Sequence, residues 1–191
     1  TFMKQLISSF LQRGICLLLL ALPAALLSAQ TTYEIYPIPH QLSYGSQNLH
    51  FTEEVEVICG EGIDQATKNR AEEVLKTHGL QAKFLDASTG QNRSILLIGI
   101  HGKNPDARDC VDRWGLSKDV FNVPDKFDRH PLHMRELTGG VAEVVILGEH
   151  TDAAFHALAS LDLMLDKGIN NLPGVTINDY ADMQSRGLVE G

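Results

Sequence analysis

Asp128, His130 and His133 are the residues of this chain whose types and spacing could bind a metal ion. Imidazole and carboxylate groups are common metal ligands in proteins. The segment that holds both histidines has the apolar pattern of a β-strand, and the His-x-x-His spacing on a strand places the two side chains on opposite faces. We therefore predict no metal site here, and nothing else in the chain indicates a cofactor.

Hydrolytic chemistry would need carboxylates or a nucleophile in a suitable context. Glu53-Glu54 and Glu72-Glu73 are neighbours in sequence, a pattern typical of solvated surface charge. Ser94, Ser117 and Ser160 lack the strand–turn–helix context that exposes a nucleophilic serine. We therefore predict that this chain contains no catalytic residues of its own.

Three aromatic residues in the middle of the chain are candidates for a sugar-stacking surface. Trp114, Phe121 and Phe127 lie close together in sequence, and exposed rings on one surface would indicate a carbohydrate-binding module. The alternative is that they pack in the core or cover a loop. The sequence favours packing but leaves both readings open.

Hydrophobic patterning predicts that strands and two main helices position these residues. From Ile63 the apolar residues follow a helical period, and Gly79 is placed to end this helix in a left-handed conformation. Thr151 is the predicted N-cap of the second helix, with Asp152 in its first turn and Gly168 at its end. The predicted strands are residues 55–59, 81–85, 94–100, 130–137 and 141–147, and the run Ile95-Leu96-Leu97-Ile98 is typical of a central buried strand.

The segments between these elements are less regular. Residues 33–40 are predicted to be extended, because prolines disfavour helix, and Gly45 is predicted to turn a short hairpin. Residues 104–129 are predicted to hold a short helix at 111–114 and otherwise a loop, and residues 172–180 a turn, short strand and exit loop. Together these elements predict an α+β two-layer sandwich, with an antiparallel or mixed sheet and two main helices on one face.

Residues 1–29 have the features of a secretory signal peptide. Lys4 and Arg13 supply positive charge, an apolar run follows, and Ala29-Gln30 offers a small-residue cleavage site. The run that starts near Gly14 is shorter than the roughly 20 residues that span a bilayer. We expect the protein to be secreted, periplasmic or at the cell surface, without a stable membrane anchor.

The charge balance excludes some partners. The formal net charge is −8, and removal of residues 1–29, which carry Lys4 and Arg13 and no acidic residue, makes it two charges more negative. Nucleic-acid affinity depends on Lys and Arg that neutralise phosphates. We therefore expect no nucleic-acid partner.

The cysteines leave one question open. Cys16 belongs to the predicted signal peptide, whereas Cys59 and Cys110 remain after cleavage. In an oxidising compartment these two thiols could pair. Two buried free thiols are an equally good interpretation, and the spacing suits no zinc site.

Three segments together resemble one group of enzymes. They are the opening Ile38-Pro39-His40-Gln41-Leu42, the helix that begins Thr151-Asp152-Ala153-Ala154-Phe155, and the run Arg186-Gly187-Leu188-Val189-Glu190-Gly191. The first two are similar to the domain that precedes the catalytic barrel in glycoside hydrolase families 20 and 84. The third resembles the first barrel strand of bacterial secreted β-N-acetylglucosaminidases of family 84.

The resemblance implies a domain organisation. Residues 30–171 would form a non-catalytic N-terminal domain, and residues 172–191 would be a linker and the first strand of a (β/α)8 catalytic barrel. The catalytic aspartate pair of the family would lie downstream, since this chain has no Asp-Asp dipeptide. Gly191 matches a glycine that lines the sugar-binding pocket in the family, which implies a substrate-binding role for it.

Three functions are compatible with the sequence and with this resemblance. The first is the N-terminal domain of a family 84-like enzyme that removes terminal β-linked N-acetylglucosamine by substrate-assisted hydrolysis. The second is the same domain in a family 20 hexosaminidase or an α-glucuronidase-like enzyme. The third is a free-standing secreted module that binds carbohydrate or protein. In the first two, the domain's partner is the downstream barrel of its own chain.

Overall fold

The computed structural model describes residues 32–103 and 119–183. The predicted signal peptide, the predicted helix at 111–114 and the run that ends at Gly191 therefore lie outside the described residues. So do Cys110, Trp114 and Ser117.

The described residues form one seven-stranded mixed sheet and two α-helices, which confirms the predicted α+β two-layer class. The elements are β1 Gln41–Leu49, β2 Glu54–Cys59, α1 Gln65–Thr77, β3 Gln81–Leu85, β4 Ser94–Ile100, a 3-10 helix Asp119–Asn122, β5 Phe127–Glu136, β6 Ala142–Gly148, α2 Thr151–Leu165 and β7 Leu172–Ala181. The sheet order is β1-β7-β5-β6-β4-β2-β3. The pairs β6-β4, β4-β2 and β2-β3 are parallel, and the pairs β1-β7, β7-β5 and β5-β6 are antiparallel.

Helix α1 begins and ends as its sequence dictates. The Asp64 side chain caps it by accepting a hydrogen bond from the Thr67 N–H at 2.8 Å. Gly79 follows the helix with φ +77°, which confirms the predicted left-handed stop. Thr67 is buried on the side of the helix that faces α2, where its hydroxyl lies 3.0 Å from the Thr151 hydroxyl, whereas Ala66 is exposed.

Helix α2 begins one residue differently from the prediction. His150, not Thr151, is the N-cap: its Nδ1 accepts from the Ala153 N–H at 3.3 Å. The Thr151 hydroxyl instead accepts from the Asp64 N–H at 3.1 Å, so it joins the starts of the two helices. Asp152 lies in the first turn, and Gly168 follows the end of the helix with φ +105°, both as predicted.

The hairpin predicted around Gly45 is wrong. Residues on both sides of Gly45 belong to the single strand β1, which pairs with β7 from Gln41↔Asn178 to Leu49↔Leu172. The register shifts between Tyr44 and Asn48, so a bulge accommodates the extra residues that were taken for a turn.

The exit loop predicted within residues 172–180 is also wrong. These residues belong to β7, which lies between β1 and β5 and extends to Ala181. The sheet of this domain therefore continues past the boundary expected at residue 171. The sequence Pro173-Gly174 is typical of a turn. In the structure the pair lies opposite the bulge of β1, where the regular hydrogen bonding between β1 and β7 is interrupted.

Strands β5 and β6, both predicted, are joined as a hairpin. Gly139 and Gly140 have φ +63° and +81° and join the two strands after Thr138. Strand β5 starts earlier than predicted, at Phe127, within the segment expected to be a loop.

The sheet is buried on both faces at its centre. Every residue of β4 is buried, as predicted for a central strand. The main core lies between the sheet and the two helices, and includes Val57, Leu75, Leu96, Val144, Leu158 and Leu161. On the opposite face, Ile95, Leu97, Val145 and Leu147 form a second apolar cluster. Neither described α-helix is long and apolar enough to cross a membrane.

Candidate functional site

A cleft of about 450 Å³ lies where the chain enters and leaves the domain. Its walls are the segment before β1, the end of β7 and one side of α2. Pro37 and Ile38 come from the first wall, Tyr180 and Met183 from the second, and His156 from the third. Residues far apart in sequence meet here because β1 and β7 are neighbouring strands.

His40 is the centre of the polar contacts in this cleft. Its Nδ1 donates to Asp179 Oδ1 at 2.6 Å, and its backbone N–H donates to the same oxygen at 3.3 Å. Its Nε2 lies 3.5 Å from Asp182 Oδ2. The imidazole stacks on the Tyr180 ring with centroids 3.7 Å apart. The start of β1 is therefore joined to the end of β7 by one histidine.

Lys126 adds a second contact to the same end of β7. Its Nζ donates to Asp182 Oδ1 at 2.7 Å and lies 5.5 Å from the centroid of the Tyr180 ring. This hydrogen bond raises the pKa of Lys126 and lowers the pKa of Asp182. Both groups consequently stay charged at neutral pH.

The geometry of His40 favours a structural role over a catalytic one. A general base must have a ring nitrogen available for the proton that it removes. Here Asp179 occupies Nδ1, and Asp182 faces Nε2. The cluster joins the start of β1 to the end of β7, and Asp179 takes Nδ1 of the imidazole.

The histidines considered for metal binding are separated as predicted. His130 shares its face of β5 with Leu132 and Met134, which belong to the main core, so His133 projects from the opposite face. His130 Nδ1 contacts the Asp128 carbonyl oxygen at 2.7 Å. Burial lowers the pKa of His130, and it lowers the pKa of His133 to about 3. Both rings are therefore neutral at neutral pH.

Asp128 contacts a different histidine. Its Oδ1 lies 3.2 Å from Nε2 of His150. Since His150 Nδ1 accepts a hydrogen bond from the α2 backbone, Nε2 carries the proton that Asp128 accepts. This pair links β5 to the start of α2. In the part of the chain that the structure describes, no group of three or more His, Cys, Asp or Glu is arranged to hold a metal ion.

Three of the carboxylate and serine candidates, Glu54, Glu73 and Ser94, make contacts within the domain. Glu54 forms an ion pair with Arg93 at 2.8 Å, and Glu73 with Arg70 at 3.0 Å. Ser94 and Thr52 exchange hydrogen bonds between their backbone N–H groups and side-chain oxygens at 2.8 and 2.9 Å.

The aromatic candidates separate as well. Phe121 packs against the second apolar cluster and stacks on His101 with ring centroids 3.9 Å apart. Phe127 starts β5 and pairs with Ala181 of β7. Phe121 is therefore a packing residue, as the favoured reading predicted, and Trp114 lies outside the described residues.

A second cleft, of about 460 Å³, lies between α1 and the edge strand β3. Phe84 and Cys59 contribute apolar surface, and Lys68, Asn69 and Glu72 form its polar side. Cys59 carries a free thiol, and burial raises its pKa, so it is a poor nucleophile.

Sequence reasoning missed the cluster around His40. Asp179 is 139 residues away from it along the chain, and no local pattern links the two. Only the pairing of β1 with β7 brings them together. A useful signal would have been the polar sequence Asn178-Asp179 at the end of an otherwise apolar strand.

Comparison with known proteins gives this fold a context. Residues 32–125 match the family model of glycosyl hydrolase family 20, domain 2. Among solved structures, the chain is similar to CpGH84D, with 32% sequence identity and a TM-score of 0.70, over 84% of this chain and 26% of that one. It is also similar to the GH20 exo β-N-acetylglucosaminidase of Vibrio harveyi in complex with N-acetylglucosamine, with 13% identity and a TM-score of 0.50, over 78% of this chain and 19% of that one. No curated protein matches the chain.

By these matches the chain is similar to an α+β domain that glycoside hydrolases contain, namely domain 2 of family 20 and the corresponding part of CpGH84D. It spans about a quarter or less of the length of the solved structures above.

Proposed function

We propose that this chain is the N-terminal, non-catalytic part of a family 84-like enzyme that removes terminal β-linked N-acetylglucosamine. The observation that carries the proposal is the similarity to CpGH84D, at 32% identity and a TM-score of 0.70. The geometry of the domain agrees with a non-catalytic role. The polar contacts of the cleft at the start of β1 and the end of β7 centre on His40, and both ring nitrogens of that histidine face carboxylates.

The chemistry would reside downstream of this domain. In substrate-assisted hydrolysis the 2-acetamido oxygen of the sugar attacks its own anomeric carbon, and two carboxylates act as acid and base. By resemblance to the family, these carboxylates lie on a (β/α)8 barrel. Gly191 would line the sugar pocket at the end of the first barrel strand, where the lack of a Cβ lets the sugar approach closely.

The enzyme would act outside the cytoplasm. Residues 1–29 would direct export and be removed near Ala29-Gln30. The substrates would be glycans that end in N-acetylglucosamine.

A family 20 hexosaminidase is the second candidate. The match of residues 32–125 to domain 2 of that family favours it. Both candidates give the domain the same structural position before a barrel. They differ in the carboxylates of the barrel: an adjacent aspartate pair supports family 84, and an Asp-Glu pair supports family 20.

The test is hydrolysis by the full-length protein of an aryl β-N-acetylglucosaminide, with the matching aryl β-glucoside as control. We expect cleavage of the first only, since the glucoside lacks the 2-acetamido group that acts as nucleophile. Absence of cleavage would contradict the proposed activity. The 191-residue chain should neither cleave the substrate nor bind N-acetylglucosamine oligomers, and saturable binding would favour a free-standing carbohydrate-binding module.

A further inference from the structure

We propose that the cleft between α1 and β3 binds a sugar unit that carries a carboxylate. Lys68 and Asn69 would hold the carboxylate, and Phe84 would pack on the apolar face of the sugar ring. The volume of the cleft, about 460 Å³, lies within the usual range of small-molecule sites. The inference goes beyond the proposed function and does not depend on it, since every residue of the site belongs to this domain.

The cleft lies at the carboxyl ends of two parallel strands. Strands β2 and β3 pair with Val57 opposite Phe84, and they end at Cys59 and Leu85. Residues 65–72, the first half of α1, supply the other wall. Ligands of open α/β sheets bind outside the carboxyl ends of the strands. The fold therefore places the cleft where a ligand site is expected.

Lys68 is a cation in this cleft that has no carboxylate partner among the described residues. Its side chain is half-buried. Its charge reaches the Cys59 thiol, whose pKa it lowers against the larger, raising effect of burial. By contrast, Lys83, Lys126 and Lys167 lie 3.4, 2.7 and 2.7 Å from a carboxylate oxygen. A half-buried ammonium without a counter-ion favours an anionic group on the ligand.

Asn69 adds a second donor beside Lys68. Gln65 Nε2 donates to Asn69 Oδ1 at 2.8 Å, so the amide oxygen is engaged and the amide nitrogen is the group that can donate to a ligand. Both side chains line the cleft. An ammonium and an amide N–H that point into the same cleft can bond the two oxygens of one carboxylate.

The remaining charged groups of the cleft are acceptors. Glu72 and Asp86 are exposed, and within the described part of the chain their carboxylates have no ion pair or hydrogen bond. An ionised carboxylate only accepts hydrogen bonds, so these two suit sugar hydroxyls. A second negative group on the ligand would be repelled by them, and a neutral sugar would leave Lys68 unpaired. A sugar with one carboxylate and several hydroxyls satisfies all three charges.

Phe84 supplies the apolar surface of the site. It lies opposite Val57, which belongs to the main core, so its ring projects on the helix side of the sheet. The residue is nevertheless 42% exposed, and its ring offers a large apolar surface to a ligand. Small-molecule sites bury most of their ligand, whereas this cleft is open to solvent on one side. This shape suits one unit of a longer glycan better than a free amino acid, which also carries one carboxylate.

Glycosides that differ at one position test the site. The 191-residue chain is titrated with methyl β-D-glucuronide and with methyl β-D-glucoside, which has a hydroxymethyl group in place of the carboxylate, and binding is followed by NMR chemical shifts. Methyl α-sialoside, whose carboxylate is attached to the anomeric carbon, is the second acidic probe. We expect an acidic glycoside to bind at least about tenfold more tightly than the glucoside, the effect of one charge-assisted hydrogen bond.

The comparison of the two acidic glycosides shows which kind of acidic sugar the cleft prefers, and tighter binding of either one supports the proposal. N-acetylglucosamine oligomers should not compete, since they lack the carboxylate. Equal binding of all three glycosides, or no saturable binding of any of them, would overturn the proposal. Tighter binding of free phenylalanine than of any glycoside would also overturn it, because the cleft would then be an amino-acid site.

Two lysines of α1 provide a matched pair of variants. Lys76 is exposed in the last turn of the helix and does not line the cleft. Lys68→Gln should reduce the affinity for the acidic glycoside to that for the glucoside, whereas Lys76→Gln should leave it unchanged. Phe84→Ala should weaken the binding of both glycosides by a similar factor. Thermal unfolding checks that each variant is folded. An equal loss in the two lysine variants would mean general charge attraction and would refute the site.

Discussion

Arg70 of α1 and Asp162 of α2 form an ion pair between the two helices, with Nη2 and Oδ2 2.7 Å apart. The other oxygen of Asp162 accepts a hydrogen bond from His78 Nε2 at 2.8 Å. Both partners of Asp162 lie on α1 or immediately after it. One half-buried carboxylate therefore joins the middle and the end of α1 to α2.

We predict that Asp162→Ala destabilises the domain by about 1–3 kcal/mol, since two hydrogen bonds to a charged group are lost. Denaturant unfolding of the 191-residue chain measures the change. The control is Asp166→Ala, an exposed aspartate one turn later, which should change the free energy of unfolding by less than about 0.5 kcal/mol. Equal effects of the two substitutions would show that the interhelical contact contributes little.

Glu56 on β2 carries the second prediction. It is fully buried, and it accepts hydrogen bonds from the Ser88 hydroxyl at 2.9 Å, the Thr89 N–H at 3.1 Å and the Thr89 hydroxyl. Burial by itself raises the pKa of Glu56, but these hydrogen bonds, with the charge of Arg93, lower it by more. In its charged form, the Glu56 carboxylate therefore holds the loop between β3 and β4 in place.

The sign of the pH effect follows from the lowered pKa. The stabilisation is fully present above the pKa of an unfolded glutamate, about 4.3, and is lost as the pH falls through the lower pKa of the folded state. We predict that Glu56→Leu destabilises the protein at pH 7, and that the difference from wild type shrinks in acid. Thermal unfolding between pH 7 and pH 3 measures this, and a difference that grows in acid would contradict it.

Local patterns in the sequence were enough to predict most elements of this fold. The helical period from Ile63 and the left-handed stop at Gly79 predicted α1, and the apolar run Ile95-Leu96-Leu97-Ile98 predicted a central strand. These signals are carried by residues near one another in sequence. The fold class followed from them, because two amphipathic helices and a set of strands have few ways to bury their apolar faces.

The errors occurred where a long-range partner decides the local structure. Gly45 and the Pro173-Gly174 pair both look like turns, yet they face one another across a bulge between β1 and β7. His150 caps α2, whereas the hydroxyl of Thr151 accepts a hydrogen bond from the Asp64 N–H at the start of α1. The cleft around His40 and Asp179 could not be predicted for the same reason, since only strand pairing joins them.

The buried histidines predict a distinct pH dependence. Burial lowers the pKa of His133 to about 3, whereas an unfolded histidine has a pKa of about 6.5. Between these values the unfolded state binds one more proton than the folded state, so stability falls as the pH falls, by about 1.4 kcal/mol per pH unit. We predict that His133→Gln removes this contribution from the slope.

The measurement is the free energy of unfolding at several pH values between 6.5 and 4.5, for wild type and variant. The slope, not the absolute stability, is the quantity compared. His130 is a second test, because burial also lowers its pKa. His130 and His133 lie on opposite faces of β5, so the slope changes in His130→Gln and His133→Gln should add in the double variant. An unchanged slope in His133→Gln would contradict the prediction, because it would mean that this histidine binds its proton equally in the folded and unfolded states.

Gly148, the last residue of β6, carries the final prediction. A Cβ at this position would lie 2.6 Å from both the His150 carbonyl oxygen and the Ala154 backbone nitrogen. Both atoms belong to the backbone that starts α2, so neither can rotate away as a side-chain end would. We predict that Gly148→Ala destabilises the domain by at least about 1–3 kcal/mol, the usual range for overpacking.

Gly45→Ala is the matched control for this substitution. A Cβ there would meet the flexible Gln47 Oε1 at 3.3 Å and the Gly174 backbone only at 3.6 Å, so a small shift of Gln47 accommodates it. Thermal unfolding of both variants should show a clear loss for Gly148→Ala and a small change for Gly45→Ala. Wild-type stability in Gly148→Ala would mean that α2 can move away from the end of β6 without loss, and that its position is not fixed by this contact.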